Sequence, residues 1–231
     1  NKATVDSPRG KFTLSPQHTP TPDFYIREVK GNYNVVTGVA VKALAGPVPP
    51  DGVAGLVLSA PAVWGRDSLG WGPRLLLWAT RALFPGLTLT GRGLDIQPSD
   101  NIEMLRALSR DPLVLKETRV DAVDGLVDLM DEAAAAVDRL SLPTLVLVGA
   151  RDQVIPAAPT WAAVARLPRL AGGRQRVALY PEGWHMLLRD LQAARVVADV
   201  AAWVLDPAAP LPSGAERQAE SLPPPSGVDT R

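Results

Sequence analysis

The sequence has 231 residues, no cysteine, and two histidines, His18 and His185. Disulfide bonds, thiolate catalysis and cysteine-ligated zinc are therefore excluded, and two histidines are too few for a histidine-rich metal centre. The composition thus indicates a protein without a metal site.

The sequence also lacks an excess of either charge and lacks long apolar runs. Lysine plus arginine and aspartate plus glutamate both total 24, so no overall basic field exists that would hold nucleic acid. No apolar run approaches the roughly 18 to 20 residues that span a bilayer, and the polar start has no signal-peptide core. We expect a soluble cytoplasmic protein without a nucleic-acid partner.

What is present divides into four zones by composition. Residues 1–22 are polar and rich in proline, which predicts a disordered leader, and residues 206–231 are rich in proline, serine and charge, which predicts a disordered tail. Residues 23–50 contain FYIREV and YNVVTGVAV around a turn, a pattern that predicts a β-hairpin. The whole chain has 46% hydrophobic residues. Residues 51–205, which are rich in alanine, leucine, arginine and valine, are expected to form the single core.

Three short apolar runs inside residues 51–205 predict buried parallel strands, because unbroken runs fit strands that are covered on both faces. They are GLVLSA at 55–60, TLVLVGA at 144–150 and RVALY at 176–180. Helical patterns, APTWAAVARLPRL and HMLLRDLQAARVVADVAAWVL, follow the last two runs, so the fold class is α/β with a parallel sheet. Residues 63–140 contain helical patterns alone and are predicted to be an insertion above the sheet.

Two residues with acid–base chemistry follow neighbouring strands. Asp152 lies just beyond the second run in GARDQVIP, and His185 lies beyond the third in YPEGWHMLLRD. Loops at the carboxyl ends of parallel strands meet at one edge of the sheet, which would bring the two side chains together. A carboxylate that fixes the tautomer of an imidazole is half of a site for an activated nucleophile.

These segments resemble the α/β-hydrolases, and within them the monoacylglycerol lipase and lysophospholipase group. GLVLSAPAVWGR is similar to the sixth strand of the family, LPTLVLVGARDQVIP to the seventh with the acid loop, and VALYPEGWHMLLRD to the eighth with the histidine loop. The resemblance implies the last strands of a partial α/β-hydrolase sheet, with residues 63–140 as the helical cap. It implies that Asp152 is the triad acid and His185 the general base, that no cofactor is used, and that the substrate is a lipid-like ester.

The nucleophile of that family is missing from the sequence. No G-x-S-x-G occurs, although the family carries its serine in this motif on a sharp strand-to-helix turn. When Gly38 is placed on the glycine after the elbow, Val35 falls where the serine belongs, and valine has no nucleophilic atom. We therefore expect an incomplete triad and an inactive chain. The alternative hypothesis is a non-catalytic fragment or degenerate paralogue that binds lipid through its cap.

Without the strands ahead of GLVLSA, that strand would be an uncovered apolar edge, which is prone to aggregation. We predict that the hairpin of residues 23–50 pairs with this edge.

Each candidate residue also has a plain structural interpretation. Asp152 suits a loop or helix cap, and His185 suits a satisfied buried histidine, although the strand and loop motifs favour the triad positions. His18, in the leader, is expected to be exposed. Ser59 ends a core strand and is not expected to replace the nucleophile. Ser68, in a loop of the cap, suits a loop or capping serine, although its location leaves a role as nucleophile open.

The start of the cap is unusually apolar for a soluble protein. Packing onto the core would explain this composition, and so would an acyl-chain tunnel or a lid that makes peripheral contact with a membrane. Arg66, Arg74 and Arg81 would suit an anionic bilayer, and equally a solvated rim. The apolar residues are Trp64, Trp71, Leu75, Leu76, Leu77, Trp78, Leu83 and Phe84.

Overall fold

The computed structural model describes residues 53–91, 93–168 and 175–217, together with the backbone of five strands nearer the N-terminus. Those strands are β1 (Thr4–Ser7), β2 (Gly10–Leu14), β3 (Pro20–Thr21), β4 (Tyr25–Lys30) and β5 (Tyr33–Val39).

The remaining elements follow in chain order from residue 56 to residue 217. They are β6 (Leu56–Ser59), α1 (Trp71–Leu83), β7 (Thr88–Thr90), α2 (Ile102–Arg110), β8 (Glu117–Arg119), α3 (Val120–Ala136), β9 (Thr144–Gly149), α4 (Ala157–Ala165), β10 (Gln175–Tyr180), α5 (Ala193–Leu205) and β11 (Glu216–Arg217).

A four-stranded sheet with the order β11-β10-β9-β6 organises the molecule. Strands β6, β9 and β10 are parallel, with Thr144 opposite both Leu56 and Gln175, and β11 is antiparallel to β10. Every residue of β9 is buried, as expected for a central strand covered on both faces. The predicted α/β sheet of three parallel strands is confirmed.

Alternate residues of β9 build two cores on opposite faces of the sheet, because successive side chains of a strand point in opposite directions. Leu145 and Leu147 lie in one core with Trp203 of α5. Val146 and Val148 lie in the other with Trp161 and Val164 of α4. The sheet is therefore sandwiched between α5 and α4, which fixes where the strands end and where the loops with the acid and the histidine begin.

Residues 63–140 contain the helices α1, α2 and α3. Arg66 donates to Asp124 at 2.8 Å and also pairs with Asp128, and Arg81 contacts Asp124 at 3.0 Å, so both arginines bind α3. The insertion also contains a short antiparallel pair, β7 and β8, which the sequence did not predict. Each of these strands has three exposed residues, too few for an alternating pattern to be visible.

The predicted start of the disordered tail at Asp206 is wrong. Residues 206–217 continue the fold, with Leu211 at 4% exposure in the core, Ala215 beside it, and β11 on the sheet. Asp199, fully buried on α5, accepts hydrogen bonds from the Ser213 backbone N–H at 2.8 Å and the Tyr180 hydroxyl at 2.7 Å. Two apolar side chains and a buried carboxylate therefore order a segment whose composition suggests disorder.

The prediction for the edge of the sheet is also wrong. Strand β6 pairs with β9 on one side, and among the described strands none pairs with its other side. Strands β4 and β5 form an antiparallel sheet of their own, with Glu28 opposite Val35. Pairing of neighbouring strands closes a short loop, which costs less conformational entropy than closing the long loop to a distant edge, so local pairing competes with pairing to β6.

Residues 1–22, where the composition predicts a disordered leader, contain β1, β2 and β3 in an antiparallel sheet. Pro20 begins the edge strand β3, a place where the missing N–H of proline is tolerated. Across the described part of the chain, no helix has the length and apolar character needed to cross a bilayer.

Candidate functional site

Asp152 follows β9 in a tight turn that fixes its carboxylate. Oδ1 accepts hydrogen bonds from the backbone N–H groups of Val154 at 2.8 Å and Ile155 at 2.9 Å. Aspartate is favoured in such turns because its short side chain reaches the N–H groups two and three residues later. Oδ2 takes no part in the turn and is left to bind another donor.

The loop after β10 carries His185 and is attached to the loop after β9. The backbone N–H of Ala150 donates to the Tyr180 carbonyl at 3.0 Å, and that of Arg151 donates to the Gly183 carbonyl at 2.9 Å. Gly149 permits this approach, because a Cβ there would lie 2.4 Å from the Trp184 carbonyl oxygen. The two loops are thus held together by backbone contacts.

Asp152 and His185 meet at this junction, as the sequence predicts. His185 Nδ1 lies 3.0 Å from Asp152 Oδ2, and the two side chains are 29% and 7% exposed. Burial by itself raises the pKa of the Asp152 carboxyl, but the hydrogen bonds from His185, Ile155 and Val154 outweigh it and hold the pKa below its ordinary value. The carboxylate therefore stays ionised and binds the imidazole at Nδ1, which leaves Nε2 to exchange a proton with a substrate or nucleophile.

The other candidate residues do not join this pair in the described structure. Val35 lies within β5 and not on a strand-to-helix turn. Ser59 and Ser68 are exposed. His18 lies outside the described residues.

Sequence reasoning missed two residues beside the site, Ser99 and Asp190. Ser99 Oγ donates to Asp190 Oδ1 at 2.6 Å, and both residues are buried. Nothing in the local pattern links a serine of the cap to an aspartate 91 residues later. A buried polar pair of this kind becomes visible in the tertiary structure alone.

Within the described residues, no group of three or more histidine, cysteine, aspartate or glutamate side chains is placed to hold a metal ion.

The apolar stretch around α1, which the sequence predicts to begin the cap, is largely exposed. Trp64 and Leu77 are half-buried, and α1 has no buried residue. Trp71 is 83% exposed and Trp78 65%, so packing onto the core does not account for the apolar composition of α1. Further exposed apolar residues are Leu75, Leu76, Leu83, Phe84, Leu87, Leu89, Leu94 and Ile96.

The model of a protein family described as serine aminopeptidase, S33, matches residues 37–192. No curated protein matches the chain.

The solved structures that share the fold include the following three. A monoacylglycerol lipase of Paleococcus ferrophilus has a TM-score of 0.59 at 21% identity, with 73% of this chain and 64% of that chain covered. A soluble variant of the monoglyceride lipase of Saccharomyces cerevisiae, in complex with a substrate analog, has a TM-score of 0.56 at 13% identity, with 73% and 62% covered. One chain from a study of the metagenome-derived lipolytic enzymes LipS and LipT has a TM-score of 0.50 at 18% identity, with 72% and 60% covered. The chain therefore spans less than two thirds of the length of each.

Proposed function

The chain belongs to the serine aminopeptidase S33 family of α/β-hydrolases, and from this membership we propose that Asp152 and His185 are the acid and base of a serine ester hydrolase site whose nucleophile this chain does not contain. The observation that carries the proposal is the 3.0 Å contact between His185 Nδ1 and Asp152 Oδ2 at the ends of neighbouring parallel strands. The spatial arrangement of Asp152 and His185, and their order along the chain, are those expected of the acid and base of a catalytic triad.

In the complete reaction, a serine hydroxyl attacks the ester carbonyl and His185 Nε2 accepts its proton. The tetrahedral intermediate expels the alcohol, which takes that proton from His185, and water then hydrolyses the acyl-serine by the same proton transfers. Asp152 holds Nδ1–H throughout and stabilises the imidazolium that forms at each step. No cofactor or metal enters this scheme.

The chain by itself is inactive under this proposal. The sequence has no G-x-S-x-G, and placing Gly38 on the glycine after the elbow would put Val35, which lies in β5 opposite Glu28, at the serine position. Among the described residues, Asp152 is the hydrogen-bond partner of His185, and no serine hydroxyl binds its ring.

Labelling with a fluorophosphonate probe tests this directly. We expect no adduct at any residue by mass spectrometry of the purified chain, and no hydrolysis of a p-nitrophenyl ester above that of the His185→Ala variant. A serine adduct, or ester turnover that disappears in His185→Ala, would show that the chain carries a working nucleophile.

We assign the substrate class of the parent site as lipid-like esters of the monoacylglycerol or lysophospholipid kind. The similar structures include a monoacylglycerol lipase and a monoglyceride lipase, and this chain has an exposed apolar cap that suits contact with acyl chains.

A second candidate function is binding of lipid surfaces through the cap without catalysis. The exposed apolar residues of α1 favour it, with Trp71 and Trp78 as residues suited to the membrane interface. Because Arg66 and Arg81 are engaged by aspartates of α3, the apolar contact is expected to dominate over attraction to anionic lipid.

Sedimentation with phosphatidylcholine vesicles, with and without phosphatidylserine, tests this function. We expect the chain to sediment with both, and a double Trp71→Ser, Trp78→Ser variant to lose most of the bound fraction. Leu205→Ser, at an 87% exposed leucine of α5, is the matched control and should bind like the parent. Equal binding by the double variant would contradict lipid binding through the cap.

A further inference from the structure

Residues 97–101, which we call the bridging segment, contact both loops of the acid–base pair although they belong to the insertion. The backbone N–H of Gln97 donates to the Gln153 side chain, next to Asp152, at 2.9 Å. The Pro98 carbonyl accepts from the backbone N–H of Met186, next to His185, at 3.0 Å. One segment thus touches the neighbours of both residues.

A buried hydrogen-bonded pair anchors this contact on the histidine side. Ser99 is fully buried and Asp190 is 4% exposed. Ser99 Oγ donates to Asp190 Oδ1 at 2.6 Å, and Asp190 Oδ2 accepts the backbone N–H of Trp184 at 2.8 Å. Both carboxylate oxygens are therefore satisfied, which burial of a charge requires.

Hydrogen bonds therefore fix the backbone immediately before and immediately after His185. The peptide N–H before it, on Trp184, is bound by Asp190, and the peptide N–H after it, on Met186, is bound by Pro98. Leu187, 1% exposed, fixes the loop in the core two residues later. These constraints leave the backbone of His185 little freedom.

We infer that Ser99 and Asp190 are positioning residues that hold the histidine loop so that His185 Nδ1 faces Asp152. This inference rests on the proposed function for the role of His185 as a base, and on the hydrogen bonds alone for its orientation. Errors of about 1 Å in the placement of a catalytic group cost large factors in rate, so buried supporting contacts of this kind determine whether a pair can work.

The imidazole N–H signal in proton NMR tests the inference. A ring N–H held by a carboxylate exchanges slowly and resonates far downfield, and the chain has one other histidine, so a His18→Gln variant assigns the signal. We expect Ser99→Ala to lose the His185 signal or to raise its exchange rate at least tenfold.

Ser213→Ala is the matched control. It removes the same kind of serine–aspartate hydrogen bond, from Ser213 Oγ to buried Asp199, at a site between α5 and residues 206–217. The His185 signal should persist in this variant. Retention of the signal in Ser99→Ala with an unchanged exchange rate, or an equal effect in Ser213→Ala, would overturn the inference.

Asp190→Leu provides a second test if Ser99→Ala fails to fold. Leucine has nearly the shape of aspartate but has no acceptor oxygen, so the hydrogen bonds from Ser99 and from Trp184 are both lost. We expect the same loss of the His185 signal, and an unchanged signal would contradict positioning by Asp190. The readout requires no ester hydrolysis, so a serine adduct in the labelling experiment would refute the proposed function without affecting this result.

Discussion

At the scale of single residues, two opposing effects act on the pKa of the Asp152 carboxyl, and the larger one sets its direction. Burial favours its neutral form, whereas the imidazole of His185 and two backbone N–H groups favour the ionised form and together prevail. An ionised Asp152 holds Nδ1–H, and this fixes Nε2 as the atom that accepts a proton.

The pKa of Asp152 should respond to its partner. His185→Ala removes one hydrogen bond while burial remains, so we expect the pKa of Asp152 to rise, as measured by carbon NMR titration of its carboxyl. Asp121, whose pKa is lowered by a hydrogen bond from Arg119, is an internal control that should not move. An unchanged pKa of Asp152 would mean that the backbone N–H groups of the turn are sufficient to keep this pKa low.

This lowered pKa also has a consequence for stability. Because the folded pKa lies below the ordinary value of 3.8, the ionised carboxylate contributes stability above that value and loses it as the pH falls through the folded pKa. In the parent chain the free energy of unfolding, measured by urea denaturation, should therefore fall as the pH drops below about 4. In His185→Ala this decrease should be smaller.

Position 149 requires glycine because the backbone of the histidine loop lies close to it. A Cβ there would meet the backbone of Gly183 and Trp184 at 2.4–2.7 Å, and backbone cannot move as a flexible side chain does. We expect Gly149→Ala to cost about 1–3 kcal/mol of unfolding free energy, measured by urea denaturation. Gly72→Ala, in α1 with nothing within 4 Å, should have no destabilising effect. Equal stability of the two variants would contradict the proposed contact.

At the scale of elements, residues 206–217 behave as part of the core. Arg176 on β10 donates to the carbonyl of Pro207 at 2.9 Å and to Glu216 at 2.6 Å, and Leu211 packs beside Trp203. The segment covers one face of the sheet and supplies its edge strand, so it contributes to stability although it lacks a regular pattern.

A leucine pair tests the contribution of this segment. Leu211→Ala, at 4% exposure, should lower the free energy of unfolding by about 2–5 kcal/mol, because it removes buried apolar area and leaves a cavity. Leu205→Ala is the same change at 87% exposure and should stay within about 0.5 kcal/mol of the parent. Similar values for both, from urea unfolding, would mean that the segment is not packed in solution.

The element that carries His185 also differs from its prediction. The pattern from His185 to Leu205 predicts one amphipathic helix, but α5 begins at Ala193. Residues 184–191 instead bond to the bridging segment, through Asp190 to Ser99 and through the Leu191 N–H to Asp100. These tertiary hydrogen bonds outweigh the helical preference of the segment, which is worth about 0.5 kcal/mol per residue.

At the scale of the whole molecule, the sheet has one edge covered and one edge open in the described structure. Strand β11 covers β10, whereas β6 presents its second side without a described partner. An open apolar strand is a template for pairing with another chain, and Val57 on β6 is 36% exposed.

A charge on this strand should reduce self-association. We expect the parent chain to associate with rising concentration in sedimentation velocity experiments and Val57→Lys to remain monomeric to higher concentration, because lysine disfavours edge-to-edge pairing. Val204→Lys, on a 62% exposed residue of α5, is the control and should associate like the parent. If Val57→Lys associates as strongly as the parent, the contacts lie elsewhere, with the exposed α1 as the next surface to alter.

The sequence by itself determined the parallel sheet and the placement of Asp152 and His185. Unbroken apolar runs report burial on both faces within a few residues, and the rule that carboxyl ends of parallel strands meet at one edge then brings the two residues together. The tertiary structure decided what depends on contacts between distant parts of the chain. Ser99 meets Asp190, and Leu211 enters the core. No local pattern encodes these contacts, because each depends on the path of the chain between residues that are far apart in sequence.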